Sequence, residues 1–468
     1  MKHRLLFAGI LWIIHSVAFA QLRLPNVLSD HMVLQRNATA HIWGWGYPAS
    51  KVQVKAGWLS DTLTTQTDAG GRWLVELKTA DAGGPYEISV SSGDAAIQLD
   101  DILLGDVWLC SGQSNMEWGG NQRLPEILEE LPKANDPKIR LLNVSRTAAD
   151  HPQYDIPNVW QTLDAGSLKP FSAIGYFVGK RLREELDVPI GIINASWGGT
   201  PAEVWTPAYL VENDLKLSDA ASKLQPNPHW PHQPGVLWNS MIHPLTPFAI
   251  SGFYWYQGES NVGTWWGYDK LMRTLISSWR NAWDADLPFY FVQIAPYTYN
   301  NQVPLAALLR EQQARTATNM PHTGMVVITD LVDNIKDIHP SRKREVADRL
   351  ANLALHEHYG KVSGKDYRSP VFRHAEINGN TVLISFDYVE HGLTIKGDEV
   401  TDLFIAGADR VFHPAQGKIK GNSLEVSSPG VTHPLAVRFG FTETAMPNLF
   451  STDGLPVSPF RTDDWPIE

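Results

Sequence analysis

The chain has 468 residues, more than one small domain holds, and 43% hydrophobic with 19% charged residues mark it as globular with a sizeable core. Fifty acidic against 39 basic residues leave a formal net charge of −11, which disfavours nucleic acid and anionic membrane as main partners. Cys110 is the only cysteine, so no internal disulfide is available and stability must come from the core.

Residues 1–20 carry Lys2 and Arg4, an apolar run from Leu5 to Ile14, and Ala18-Phe19-Ala20 before Gln21, the pattern of a secretory signal with a small-x-small cleavage site. The run is too short to span a membrane, and no later stretch reaches the ~20 apolar residues that a span needs. No cysteine follows the cleavage site to take a lipid. The expected location is periplasmic or extracellular.

From residue 21 to 104 the pattern is one of short alternating strands, over Ala40 to Trp45, Lys51 to Ala56, Leu59 to Thr67, Trp73 to Leu77 and Tyr86 to Ser91. Gly-rich turns at Asp68 to Gly71 and Ala82 to Pro85 punctuate them, which predicts a small antiparallel β-sandwich. From residue 105 to 360 apolar strands alternate with amphipathic helices. The strands are Asp106 to Cys110, Ile139 to Val144, Ile190 to Ala195, Ile250 to Tyr256, Phe289 to Ile294 and Met325 to Thr329. Helical spacing links Ile174, Phe177, Val178 and Leu182, then Leu271, Leu275 and Trp279, then Leu305, Leu308 and Leu309, and a last helix is read from Ser341 to Tyr359. Such an order predicts an α/β fold with a doubly wound parallel sheet, whose site lies outside the strands' carboxyl ends. Residues 361–468 return to strands, at Val371 to Ile377, Thr381 to Phe386, Asp402 to Ala406, Ser423 to Ser427 and Leu435 to Phe439, a second small all-β domain expected to be docked.

Chemistry concentrates in four blocks, each following a predicted strand. After Cys110 comes Ser111-Gly112-Gln113-Ser114-Asn115-Met116, in which Gly112 permits a tight turn and Ser114 is presented as a candidate nucleophile. Gln113 and Asn115 distinguish it from a Gly-x-Ser-x-Gly elbow. A thiol inside the apolar strand before it, Cys110, reads as inert packing. The second block, Trp197-Gly198-Gly199-Thr200-Pro201, has two glycines that let backbone N–H groups face a pocket, although a bare Gly-Gly is usually only a turn. The third is Gln257-Gly258-Glu259-Ser260-Asn261. The fourth, Asp337-Ile338-His339-Pro340, holds the only one of 16 histidines in a setting suited to a general base for Ser114. No further ligand at metal-binding spacing accompanies Asp337 and His339, so neither metal nor cofactor is expected. The 18 tryptophans suggest flat surfaces for sugar rings, with Trp197 and Trp205 flanking the second block, yet packing explains most of them.

Together these four ordered blocks, and the opening run Leu28-Ser29-Asp30-His31-Met32-Val33-Leu34-Gln35, resemble the sialate O-acetylesterase branch of the SGNH (GDSL-like) hydrolases. The likeness runs from about Leu24 to the end of the chain. It implies a secreted serine esterase with Ser114 as nucleophile and His339 as base, and it favours Gly199, then Gly198, as backbone donors to the oxyanion. The superfamily's Gly-x-Asn-Asp block is absent, which leaves Gln257 or Asn261 as the side-chain donor and casts Glu259 as an organiser, since a carboxylate only accepts. The superfamily's carboxylate lies three residues before the histidine, where this chain has Lys336. Asp337 is therefore the expected orienter of the imidazole, with Asp333 or a backbone carbonyl as alternatives. The implied partner is an O-acetylated carbohydrate, sialic acid first and acetylated xylan or another hemicellulose second. Arg310, Arg342 and Lys343 are candidates to meet a sialate carboxylate, although an exposed ion pair is the plainer reading of Arg310. A non-catalytic glycan-binding protein is the alternative of another class. Oligomeric state is not legible in the sequence.

Overall fold

The computed structural model describes residues 22–299, 301, 303–361 and 364–467; the expected signal segment, residues 1–20, lies outside them. No helix among the described residues is long and apolar enough to cross a membrane. The architecture is mixed α/β, with a large central sheet and smaller all-β sheets towards the C-terminus.

One strand, Ala95–Gly112, dominates the sheet because its 18 residues serve two neighbourhoods. Its first half pairs antiparallel with Gly83–Ser92, which in turn pairs with Lys51–Ala56. Its second half lies parallel between Ile190–Ser196 and Gly252–Tyr256. The step from the N-terminal strands to the helix-bearing part, which the sequence reading puts at residue 105, is thus made inside a single strand. Asp101 marks the change with a positive φ of 56°, its carboxylate held by Arg140 at 2.6 Å and His31 at 2.7 Å.

Outward on one side lie Ile190–Ser196, Ile139–Asn143 and, antiparallel, Gln161–Thr162; on the other lie Gly252–Tyr256, Phe289–Val292 and Thr323–Val326. The strands are apolar on both faces because both are covered, as buried parallel strands are. Val107 and Leu109 join one core with Leu271, Leu275, Trp279 and Leu309. Trp108 and Cys110, one residue out of step, join the other with Ile174, Phe177, Leu350 and Leu353. Helices Tyr268–Trp283 and Leu305–Asn319 therefore lie against one face, and Ala173–Leu186 and Lys343–Glu357 against the other. Because the chain first builds to one side of Ala95–Gly112 and later to the other, the carboxyl ends of three adjacent strands open onto one crevice. The first three sequence blocks leave from those three ends.

Cys110 is fully buried and burial pushes its thiol up out of the reactive range, in line with the packing reading. Arg310 is neither a surface ion pair nor a ligand contact. It is wholly buried, donating to the backbone carbonyls of Thr442 and Glu443, so it ties helix Leu305–Asn319 to the C-terminal strands. Those strands form two four-stranded sheets around their own core of Val382, Ile384, Leu424, Val437 and Phe439. Arg461 to Glu311 at 3.0 Å and Arg368 to Glu357 add ion pairs across the same seam.

At the N-terminal seam, Arg36 grips buried Asp106 with two bonds of 2.9 Å, and Gln35 adds a third at 3.0 Å. Arg36→Ala removes the cation from that buried carboxylate and leaves it only neutral partners, Gln35 and the Tyr359 hydroxyl, which costs about 3 kcal/mol for a pair of this kind. The urea unfolding midpoint should fall accordingly; an unchanged midpoint would show that the seam does not depend on this pair.

Candidate active site

The strand Ala95–Gly112 ends in a backbone turn only glycine accommodates. Gly112 has φ 131°, and a Cβ there would sit 2.2 Å from the Tyr256 carbonyl oxygen. The Gln113 N–H donates to that same carbonyl at 3.0 Å, and the short helix Ser114–Glu117 follows. Ser114 is thereby set, half-buried, at the mouth of the crevice.

His339 reaches it from the fourth block, its Nε2 2.9 Å from Ser114 Oγ. Two residues remote by 225 positions meet at hydrogen-bond distance. Trp118, one turn beyond the serine, stacks on the imidazole with ring centroids 3.7 Å apart and planes 19° from parallel. The ring is thus fixed by a face contact as well as by its bond. Burial, and then the charge of Lys343, push its pKa down to about 4, against a smaller upward pull from Asp337. The imidazole is therefore neutral across the physiological range and free to accept a proton.

Asp337 lies near the imidazole without bonding to it. Its Oδ1 is 3.6 Å from His339 Nδ1, an ion-pair distance too long for a hydrogen bond, and the same oxygen accepts the His339 backbone N–H at 2.9 Å. Asp333 accepts from Ser341 Oγ at 3.0 Å instead. The peptide group between Ile338 and His339 is clamped at both ends. Its N–H goes to Asp337, and its carbonyl accepts from Asn115 Nδ2 at 3.0 Å.

The remaining block residues interlock. Glu117 Oε2 accepts the Gly198 N–H at 2.7 Å while its other oxygen pairs with Arg146 at 3.2 Å, so the Gly198 donor is committed. The N–H groups of Ser114 and Gly199 have no partner among the described residues. Gln257 is wholly buried; its amide donates to Thr200 O at 3.2 Å and to Asn261 Oδ1 at 2.8 Å. Asn261 in turn gives its amide to buried Glu203 at 2.9 Å and accepts from the Ala202 N–H. Both side chains nominated by the sequence as oxyanion donors are thus spent inside the scaffold behind the crevice. Glu259 is buried, with Oε1 accepting from Asn115 Nδ2 at 2.6 Å and burial raising its pKa. Ser260 Oγ closes the second block onto the third by donating to Gly199 O at 2.8 Å.

Of the cations considered, Arg342 pairs with Glu345 at 2.7 Å, and Lys343 is buried with its Nζ 2.6 Å from Asn115 Oδ1. Arg342 is thus committed to a carboxylate on the helix that follows it and Lys343 to an amide. Trp205 is core, whereas Trp197 is half-buried. Three residues stand out only in the structure, Trp118, Glu117 and Trp230, and a fourth, Lys343, takes a place other than the substrate contact the sequence suggests. The first two follow Ser114 by four and three positions, spacings that the short helix Ser114–Glu117 brings back to the same side, whereas Lys343 opens the helix that follows the His339 loop. Trp230 carries no such signal. It arrives on a distant segment and lies where a Cβ on Gly199 would fall, 2.4 Å from its ring.

A serine held by an imidazole beside unpartnered N–H groups is an acyl-transfer arrangement, and the comparisons fix the class. The chain is similar to sialate O-acetylesterases of Homo sapiens and Pongo abelii, each 30% identical over 416 residues, 81% of this chain and 79% of theirs. A crystal structure of a carbohydrate acetylesterase from Xanthomonas citri superposes with a TM-score of 0.86 at 38% identity, over 95% of this chain and 100% of that one. The protein is a carboxylic ester hydrolase that acts on acetylated carbohydrate. With residues 104–356 matching the family model, the chain belongs to the family described as carbohydrate esterase, sialic acid-specific acetylesterase.

Gly199 has φ 81°, which disfavours any side chain, and the Trp230 ring occupies the space a Cβ would need. Gly199→Ala should lower kcat/KM for 4-nitrophenyl acetate by tenfold or more, the order expected when a positioned donor moves by a fraction of an ångström. Retained rates would show that the second block need not hold this geometry.

Proposed function

We propose that this protein is a secreted serine esterase that removes O-acetyl groups from sialic acid, working through Ser114 and His339 on a doubly wound SGNH-type sheet. The observation that carries the reading is the 2.9 Å contact from His339 Nε2 to Ser114 Oγ at the carboxyl end of the central strand. His339 takes the serine proton as Oγ attacks the acetyl carbonyl. The oxyanion falls to the N–H groups of Ser114 and Gly199, a donor of this kind lowering the barrier by about 3 kcal/mol. The imidazolium returns its proton to the departing sugar alcohol, leaving acetyl-serine. Water, deprotonated by the same imidazole, then releases acetate.

In this reading the imidazole is oriented by three things: the Trp118 face, the clamped Ile338–His339 peptide and the Ser114 bond. Asp337 contributes through the backbone, as one jaw of the clamp. Gln257, Asn261 and Glu259 hold the second and third blocks together behind the donors. The division of the chain is read as signal peptide 1–20, N-terminal β-sandwich 21–104, hydrolase domain 105–360 and C-terminal β-domain 361–468. The proposed location, periplasmic or extracellular, rests on the sequence of residues 1–20.

Sialic acid as substrate is supported by the names of the mammalian relatives. The test is acetate release from O-acetylated sialic acid and from acetylated xylo-oligosaccharides side by side, with Ser114→Ala as blank. Release from the sialate by the wild type alone is the expected result; release only from the xylo-oligosaccharides would move the substrate to hemicellulose. Turnover by Ser114→Ala would remove the serine from the mechanism. Asp337→Asn should cost about tenfold in kcat/KM, far from the ~10⁴ typical where a carboxylate bonds directly to the catalytic imidazole. A loss of that larger size would restore Asp337 as the direct orienter.

A further inference from the structure

Lys343 is the least economical residue near the crevice. An ammonium group buried to 1% exposure is costly, and an apolar side chain of the same length would fill the space without that cost. Its stem comes from the first residue of helix Lys343–Glu357, and its Nζ reaches back under the nucleophile turn. There it donates to Asn115 Oδ1 at 2.6 Å and lies 5.6 Å from the centroid of the Tyr256 ring. No carboxylate comes within ion-pair distance of it among the described residues. The nearest compensation is relayed by Asn115, whose carbonyl end faces the cation and whose amide end faces Glu259 Oε1 at 2.6 Å.

Asn115 adjoins Ser114 in sequence, and its second amide hydrogen holds the carbonyl of Ile338, the residue before His339. Its orientation is fully determined: flipped, its carbonyl would face a carboxylate and another carbonyl, and its NH₂ would face an ammonium. The Lys343 charge therefore sets the one amide that joins the serine turn to the histidine loop. We propose that Lys343 is a positioning residue of the deacetylation reaction, orienting Asn115 so that Ser114 and His339 stay in register. Its charge also favours the base form of the imidazole.

The inference rests on His339 being the base. The groups facing His339 are Ser114 and Trp118 from the nucleophile turn, Asp337 from its own loop, and Lys343 from the following helix. Those facing Lys343 are Asn115, Tyr256, Glu259, Asp337 and Glu126. Burial lowers Lys343 to about 7, with Glu259, Asp337 and Glu126 opposing, so it is charged throughout the acid range in which an ordinary histidine would titrate. Of the two charges acting on His339, Lys343 pushes down more than Asp337 pulls up. The sign follows: removing the cation raises the imidazole, and activity should then be lost at a higher pH as the medium is acidified.

The experiment is the pH dependence of kcat/KM on 4-nitrophenyl acetate for wild type, Lys343→Met and Lys343→Arg. The wild-type acid limb should fall near pH 4, the value to which His339 is lowered. In Lys343→Met the limb should move up by roughly half to one pH unit, with the alkaline plateau reduced less strongly, and Lys343→Arg should bring the limb back. A limb that stays in place in Lys343→Met overturns the proposal, whether or not the rate falls uniformly. If the Met variant does not fold, the wild-type imidazole can be titrated directly by NMR; a value at or above the ordinary 6.5 overturns the proposal equally. The two readings fail separately. Activity retained in His339→Ala removes the base assignment itself, whereas an inactive His339→Ala with an unmoved limb removes only the role of Lys343.

Discussion

The site depends on one backbone constraint: the end of strand Ala95–Gly112 must turn at Gly112 so close to Tyr256 that a Cβ there would lie 2.2 Å from its carbonyl oxygen. That close approach lets the serine turn lie directly over the neighbouring strand. It also allows the Gln113 N–H to bond the Tyr256 carbonyl, which ties the first block to the third. On the other flank the Trp197 N–H takes the Gly112 carbonyl at 3.0 Å, tying in the second. A larger residue at 112 would push all three loops apart together. The fourth block is recruited differently, by side chains: Asn115 and Ser114 reach up to Ile338 and His339.

The polar groups beneath this surface are unusually committed. Glu203, Asn261, Gln257 and Tyr268 form one chain of bonds, with Tyr268 Oη donating to Gln257 Oε1 at 2.8 Å. Glu259, Asn115 and Lys343 form a second. Buried networks of this kind stabilise little relative to apolar packing, but a fully satisfied one admits few alternative arrangements. Glu259 Oε2 is the exception, buried without a partner, which fits the upward shift of its carboxyl. The two networks face the loops that carry Gly199 and His339, so geometry, rather than bulk stability, is what they supply.

Much of this was legible in the sequence for a simple reason. Strands buried on both faces are written as continuous apolar runs, and the runs at Ile139, Ile190 and Phe289 begin at the residues where strands begin. The last run is displaced: Met325 to Thr329 was expected and Thr323–Val326 is observed, because Val327 and Ile328 are buried after the ladder has ended. Burial was legible there and pairing was not. Likewise Leu59 to Thr67 shortens to Leu63–Gln66, because Leu59 packs against the core from a turn that bonds back to Ala56 and not from the ladder. In the site, residue identity pointed to Ser114 and His339, since few side chains suit those tasks. It was silent on commitment: an amide in Gln257 or Asn261 looks equally available until its two hydrogens are counted against their neighbours. Arg310 shows the same limit, since its two acceptors are backbone carbonyls more than 130 positions away.

The match to the family model begins at residue 104, in the middle of a strand that runs unbroken from Ala95 to Gly112. Similarity to individual relatives reaches over 81% of the chain, beyond that match, so its edge at residue 104 is not a joint in the backbone. The hydrogen-bond ladder passes from Gly83–Ser92 into the hydrolase sheet with no joint at which one part could be exchanged for another. The N-terminal strands are therefore not a detachable appendage: removing them would strip the partner from one half of the strand whose other end carries the serine.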